Sequence, residues 1–133
     1  MFCPYHNKEY MKNDIRILVV DDEAIMRSLF TDILEDRGYR VTVVNNGQEA
    51  IDLAKDVFFQ VAFIDVHMPV MNGIQTLRIL RVISPNTAVV MMDSFPDVLL
   101  DEINKDSTIT CIHKPFDIKE VREAIENRVV KVV

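Results

Sequence analysis

Short apolar segments recur along the chain, and each is followed by a segment with the hydrophobic spacing of a helix. The apolar segments are rich in Val and Ile and mostly continuous, as strands are when helices cover both faces of a parallel sheet. They are Ile15–Val20, Val41–Val44, Val61–Ile64, Ala88–Met92 and Ile109–Ile112. Thr42 and Thr110 interrupt two of them, which is typical of edge or half-exposed strands.

Between these segments, apolar residues recur every three or four positions, which predicts amphipathic helices. The predicted helices centre on Ile25–Leu34, Ala50–Ala54, Ile74–Leu80, Val98–Ile103 and Ile118–Val129. We expect Gly38 to end the first helix in a left-handed conformation and Asp117 to cap the start of the fifth. Crossovers of this length predict an α/β fold of (βα)₅ type, with a doubly wound parallel sheet in three layers.

Composition is that of one small acidic domain. The chain has 133 residues, of which 49% are hydrophobic, enough to form a core. Its net charge of −6 disfavours binding to nucleic acid or to anionic lipid. No apolar segment approaches the roughly 20 residues of a membrane helix, and no signal peptide is evident. We therefore expect a cytoplasmic protein without nucleic-acid or membrane contacts, with residues 1–13 as an N-terminal extension or tag-like segment and residues 14–133 as the domain.

Charged residues follow the carboxyl ends of the predicted strands, the edge at which open α/β sheets bind ligands. Asp21 and Asp22 follow the first strand, Asp65 the third, Asp93 the fourth and Lys114 the fifth. One Asp pair after a strand is more often a helix cap, but the coincidence at several strand ends favours a site. Close carboxylates need a cation, and oxygen ligands suit Mg²⁺. With a lysine for phosphate oxygens, these residue types predict a Mg²⁺-assisted site that accepts a phosphoryl group.

Three motifs resemble those of the receiver domain of two-component response regulators, and the resemblance covers about residues 15–130. Ile17–Glu23 resembles the first strand and acidic pair of that family. Asp65–Gly73 resembles its phosphoacceptor loop, D-x-x-M-P-x-M-[DN]-G, and Lys114–Phe116 resembles its K-P-F signature. The resemblance implies a flavodoxin-like fold with strand order 2-1-3-4-5.

The resemblance also implies a role for each matched acidic residue. Asp65 would take a phosphoryl group from the phosphohistidine of a sensor histidine kinase or a phosphotransfer protein. Mg²⁺, or Mn²⁺ in its place, would be ligated directly by Asp22, by Asp65 and by the backbone carbonyl of His67. Asp21 would act mainly through a bound water. The His67 imidazole is expected at the rim of the site rather than on the metal.

Beyond the acidic residues, the resemblance implies that Lys114 pairs with Asp65 or its phosphoryl oxygens and that the bond to Pro115 is cis. The domain would be a signalling switch rather than a conventional enzyme, capable of self-phosphorylation from small donors and of self-dephosphorylation. Phosphorylation would bias a two-state equilibrium and reshape the face formed by the fourth helix, fifth strand and fifth helix. In the family, that face often forms a homodimer.

Two positions depart from the family pattern. Asp93 stands where the family usually has Thr or Ser, with Ser94 one residue later, and Cys111 stands where it usually has Tyr or Phe. Three arrangements stay open for Asp93. It faces the pocket and weakens or mimics phosphorylation, it ligates the metal, or the strand end shifts so that Ser94 supplies the switch hydroxyl. We favour the third, in which Asp93 turns to solvent.

Two other functions compete with this interpretation. Asp93 and Cys111 favour an interaction module that keeps the fold but acts without phosphorylation. A phosphatase with an aspartyl nucleophile is disfavoured, because such enzymes place a second acid two residues after the nucleophile. That position is His67.

Overall fold

The computed structural model describes residues 14–93, 109–114 and 116–129, in which parallel strands alternate with helices. The elements are β1 (Arg16–Val20), α1 (Ala24–Asp36), β2 (Arg40–Val44), α2 (Gly47–Ala54), β3 (Val61–Asp65), α3 (Gly73–Ile83), β4 (Ala88–Asp93), β5 (Thr110–His113) and α4 (Ile118–Val129). All strands are parallel and stand in the order β2-β1-β3-β4-β5. The predicted α/β class and strand order are confirmed.

Burial along the strands follows their place in the sheet. Every residue of the central strand β3 is buried. In the edge strands β2 and β5, Thr42 and Thr110 are only partly buried, as expected of strands with one open side.

Side-chain alternation along the strands divides the core into two clusters, one on each face of the sheet. On one face, Ile64 of β3 packs in a cluster with Ala50 of α2 and Leu77 of α3, and we call this the α2/α3 face. On the other, Phe63 packs in a cluster with helices α1 and α4, and we call this the α1/α4 face. There the Phe63 ring lies 5.0 Å, centre to centre, from the ring of Phe30. Because side chains alternate between the two faces, the last residue of a strand points to the same face as the residue two positions before it.

Helix ends agree with the sequence signals. Gly38 follows α1 with φ 92°, the left-handed conformation predicted for it. Asp117 Oδ1 accepts a hydrogen bond from the Glu120 N–H at 2.9 Å, confirming the predicted cap of α4. Asn72 and Gln75 form a reciprocal capping box that starts α3 immediately after the β3–α3 loop.

Several strands extend by one residue beyond their predicted bounds, and two of these extensions include an aspartate of interest. β3 includes Asp65 and β4 includes Asp93. Backbone pairing continues through these residues, since the Lys114 N–H donates to the Asp93 carbonyl at 2.8 Å. The predicted helix near 98–103, the extension 1–13, Ser94 and Pro115 lie outside the described residues. None of the helices in the described ranges has the length and apolarity needed to cross a bilayer.

Candidate functional site

Three carboxylates converge at the carboxyl edge of the sheet. One oxygen from each of Asp21, Asp22 and Asp65 lies within 4.8 Å of the others, a group that could hold a metal ion. The register explains why Asp21 and Asp65 meet, because Val20 of β1 is paired with Ile64 of β3 and the residue after each of them is an aspartate. Asp21 and Asp65 are buried, whereas Asp22 is exposed. The structure therefore brings together three of the four aspartates singled out in the sequence.

The Lys114 ammonium lies among these carboxylates. Its Nζ is 3.2 Å from Asp21 Oδ2 and 3.4 Å from Asp65 Oδ2. A third contact, 3.3 Å to Glu23 Oε1, was missed from the sequence, although Glu23 directly follows the Asp pair. Burial alone would lower the pKa of Lys114, but the charges of Asp21 and Asp65 outweigh it and raise that pKa. The lysine is therefore a fixed positive charge beside Asp65.

The surroundings of Asp65 disfavour the ionised form of its carboxyl group. Burial raises its pKa from 3.8 to about 6, and the charge of Asp21 adds to the rise. Lys114 and the His67 N–H, which donates to Asp65 Oδ1 at 3.2 Å, act in the opposite direction. Near neutral pH the group is mostly ionised, so that one of its oxygens can act as a nucleophile.

Asp93 is buried, and the expectation that it turns to solvent is wrong. Its side chain has no exposed surface, and its Oδ1 lies 3.1 Å from Nε2 of His67. Pairing of β4 with β5 continues through Asp93, so its side chain follows the strand alternation into the protein. The His67 ring, half exposed, lies at the rim as expected but is tied to the end of β4.

Asp93 and Asp65 leave the sheet on opposite faces. Asp65 follows Phe63 in the alternation and belongs to the α1/α4 face, whereas Asp93 follows Met91 and belongs to the α2/α3 face. Among the described residues, the converging carboxylates are Asp21, Asp22 and Asp65 without Asp93. The hydroxyl role assigned to Ser94 stays a prediction.

Cys111 lies beside Met91 on the α2/α3 face and is partly buried. Burial, and then the charge of Asp93, raise the pKa of its thiol to about 11, so the thiol is protonated near neutral pH. Its Sγ is 4.0 Å from Nδ1 of the exposed His113. The switch role of Cys111 stays a prediction.

The loop that carries His67 contains a backbone conformation that Val rarely adopts. Val70 has φ 69°, in the left-handed region, and its side chain is 96% exposed. A β-branched residue there is strained.

We expect Val70→Asn to raise the free energy of unfolding by about 1 kcal/mol, because Asn tolerates left-handed backbone. Urea denaturation would measure the change. Val82→Asn, on an 80% exposed side chain in α3, is the matched control and should give no gain. Equal changes in the two variants would show that the Val70 backbone stores no strain.

The fold and the acidic edge define a parallel α/β domain with a carboxylate–lysine site of the kind used to bind a metal ion and a phosphoryl group. The chain belongs to the response regulator receiver domain family, whose model matches residues 17–126. This match confirms the resemblance drawn from the three motifs. Receiver domains are signalling modules of two-component systems.

Two of the relatives are similar to this chain over most of their own length. The chain is 30% identical over 112 residues to sporulation initiation phosphotransferase F of Bacillus subtilis, covering 84% of this chain and 90% of that protein. It is 34% identical over 118 residues to the chemotaxis protein CheY of Thermotoga maritima, covering 87% and 98%. Among solved structures, chemotaxis protein CheY4 of Vibrio cholerae superposes with a TM-score of 0.78 at 27% identity, covering 86% and 98%.

Proposed function

We propose that this domain accepts a phosphoryl group on Asp65 in the presence of Mg²⁺ and thereby switches a protein–protein interaction face. One observation carries the proposal. The Asp65 carboxylate lies 3.4 Å from the Lys114 ammonium, at the point where the oxygens of Asp21 and Asp22 converge on it. This arrangement combines a nucleophilic oxygen, a cation for phosphoryl oxygens and a set of oxygen ligands.

In the proposed reaction, one oxygen of ionised Asp65 attacks the phosphorus of the donor. The new oxygen–phosphorus bond forms as the bond to the donor nitrogen or oxygen breaks, and the leaving group keeps that electron pair. Lys114 would then bind an oxygen of the new acyl phosphate, and the His67 N–H orients the carboxylate before attack. The buried position of Asp65 excludes water from much of its surroundings.

The carboxylates fit a hard cation, because Mg²⁺ and Mn²⁺ prefer oxygen ligands. Asp21, Asp22 and Asp65 would hold it, with the His67 carbonyl as the further ligand that the family resemblance implies. A cation bound there would supply positive charge to the phosphoryl oxygens.

We infer that the donor is the phosphohistidine of a sensor kinase or of a phosphotransfer protein. Similarity to a sporulation initiation phosphotransferase and to chemotaxis CheY supports this class of partner. The output would be the face of the fifth strand and its flanking helices, with self-association as one form of it. We propose a cytoplasmic location, the compartment expected of a receiver domain that meets a sensor kinase or phosphotransfer protein. The net charge of −6 disfavours contacts with anionic lipid and with nucleic acid.

A second candidate, an interaction module that acts without phosphorylation, is favoured by the two atypical positions. Asp93 and Cys111 replace the hydroxyl and the aromatic ring that usually couple the site to the output face. The acidic group and Lys114 are nevertheless complete, which is why phosphorylation is the primary proposal.

Intact-protein mass spectrometry after incubation with acetyl phosphate and Mg²⁺ tests the proposal. The wild type should gain one phosphoryl group, and both Asp65→Asn and chelation of the metal should abolish the gain. Asp56→Asn, an exposed aspartate after α2, is the matched control and should be phosphorylated like the wild type. An unmodified wild type would favour the interaction module, and rapid multiple turnover of the donor would favour a phosphatase.

A further inference from the structure

A buried carboxylate stands at the end of β4, and the phosphoryl chemistry described above does not use it. Asp93 is fully buried, and its Oδ1 lies 3.1 Å from Nε2 of His67. A carboxylate accepts and the ring N–H donates, so the contact is a hydrogen bond between residues 26 positions apart. It ties the end of β4 to the loop that leaves β3.

His67 is held from two sides by this arrangement. Its ring contacts Asp93 on the α2/α3 face, and its backbone N–H donates to Asp65 Oδ1 at 3.2 Å. Fixing the ring limits rotation of the peptide groups next to it, because the Cα joins the ring to both. The same residue carries the carbonyl that the proposed function assigns to the metal.

The rest of the loop is held by backbone hydrogen bonds and by Met68, the residue after His67, which is buried in the core cluster of the α2/α3 face. The Val66 N–H donates to the Met92 carbonyl at 3.0 Å, and the Gly73 N–H donates to the Val66 carbonyl at 2.9 Å. Those bonds fix the base of the loop on either side of His67. Beyond His67, the exposed Val70 has the unfavourable backbone described above. The contact between the His67 ring and Asp93 adds to this support at the residue whose N–H faces Asp65.

We infer that Asp93 is a positioning residue for phosphoryl acceptance, which acts by holding the His67 ring and, through it, the backbone groups that face Asp65. The alternative is that the Asp93 charge repels the incoming phosphoryl group. The two alternatives predict opposite changes in the rate of phosphorylation when Asp93 is replaced. If Asp93 positions His67, losing it slows phosphorylation, whereas if its charge repels, losing it speeds phosphorylation. The departure of Asp93 and Asp65 from opposite faces of the sheet favours positioning.

Three variants separate these effects. Asp93→Thr installs the residue usual in the family, but its hydroxyl ends one bond short of the carboxylate oxygen and loses the tie. Asp93→Asn keeps an oxygen that accepts from His67 while removing the charge. His67→Ala removes the ring from an exposed position and keeps the backbone N–H. His113→Ala, on the neighbouring strand end, is the matched control, since His113 is exposed.

The first measurement needs no phosphorylation. Exchange of the His67 amide proton with water, followed by NMR in the metal-free protein, should speed up roughly fivefold in Asp93→Thr and in His67→Ala if a net hydrogen bond is lost. The double variant should show no further change, because both substitutions break one tie. Asp93→Asn should recover most of the protection, and His113→Ala should match the wild type.

The second measurement is the initial rate of phosphorylation by acetyl phosphate with Mg²⁺, which depends on the proposed function. Asp93→Thr and His67→Ala should each slow it several-fold, with Asp93→Asn closer to the wild type. Thermal unfolding of each variant shows whether a slower rate comes from the lost Asp93–His67 hydrogen bond or from loss of the folded structure. Faster phosphorylation in both Asp93 variants, or unchanged amide exchange in Asp93→Thr, would overturn the inference. If the wild type accepts no phosphoryl group, the proposed function fails, and the exchange data still decide the role of Asp93.

Discussion

Replacing Asp65 with Asn is expected to raise the free energy of unfolding of the metal-free domain by up to about 3 kcal/mol near pH 8. The Asp65 pKa is raised from 3.8 to about 6 in the folded state, mainly by burial and then by Asp21, even with Lys114 opposing the rise. Its charge therefore destabilises the fold. Asn keeps the shape of the side chain and removes that charge.

The sign of the pH dependence follows from the same shift. Between about pH 4 and pH 6, the folded state holds a proton on Asp65 that the unfolded state has released. This contribution to stability is therefore present below about pH 4 and is lost as the pH rises through the folded-state pKa. The gain in stability of Asp65→Asn over the wild type should therefore be absent below about pH 4 and fully developed above about pH 6.

Urea denaturation of both proteins between about pH 4 and pH 8, with a chelator present, measures the difference in their free energies of unfolding. The exposed Asp56→Asn variant should show no comparable gain at either end. Added Mg²⁺ should narrow the gap in stability between wild type and Asp65→Asn, because the cation binds the protein with all three carboxylates more tightly and so stabilises it more. A gain that is the same at both pH extremes would contradict this account of the Asp65 charge.

Much of the fold could be predicted because its signals are local. Continuous apolar strands, helical spacing between them, Gly38 after α1 and Asp117 before α4 each depend on a few neighbouring residues. The edge position of β2 was also readable, from Thr42. The strand order could not be predicted from local spacing, and it came from the family resemblance instead.

The site was predictable only where strand ends determine it. Asp21 and Asp65 meet because paired strands end in register, so their convergence follows from the fold. The contact of Glu23 with Lys114 depends on how side chains 91 positions apart extend from different loops. No sequence spacing encodes such a contact.

Asp93 shows the same limit more sharply. An aspartate after an apolar strand is usually a surface residue, and that expectation failed here because backbone pairing with β5 continues through it. Its partner His67 belongs to a different strand–helix connection. Predicting the pair requires knowing both the length of β4 and the face on which it ends.

Gly73→Ala is expected to destabilise the domain by roughly 3 kcal/mol and to impair phosphorylation. A Cβ at this position would overlap the carbonyl oxygen of Asp65 and lie 2.8 Å from the Cα of Val66. Both neighbours are backbone atoms of the central strand and its continuation, so neither can rotate away as a side chain would. Relief requires α3 to move outward or the Asp65 peptide to shift, and the second displaces the phosphoacceptor itself.

Gly38→Ala provides a matched glycine control at the opposite edge of the sheet. Its φ of 92° makes Ala strained there, with an expected loss of about 1 kcal/mol, yet it lies far from the strand ends that carry the acidic group. Urea denaturation and acetyl phosphate incorporation should therefore separate the two variants. Gly38→Ala should lose stability alone, and Gly73→Ala should lose both stability and phosphoryl acceptance. Wild-type phosphorylation in a folded Gly73→Ala protein would mean that the approach of α3 to β3 does not position Asp65.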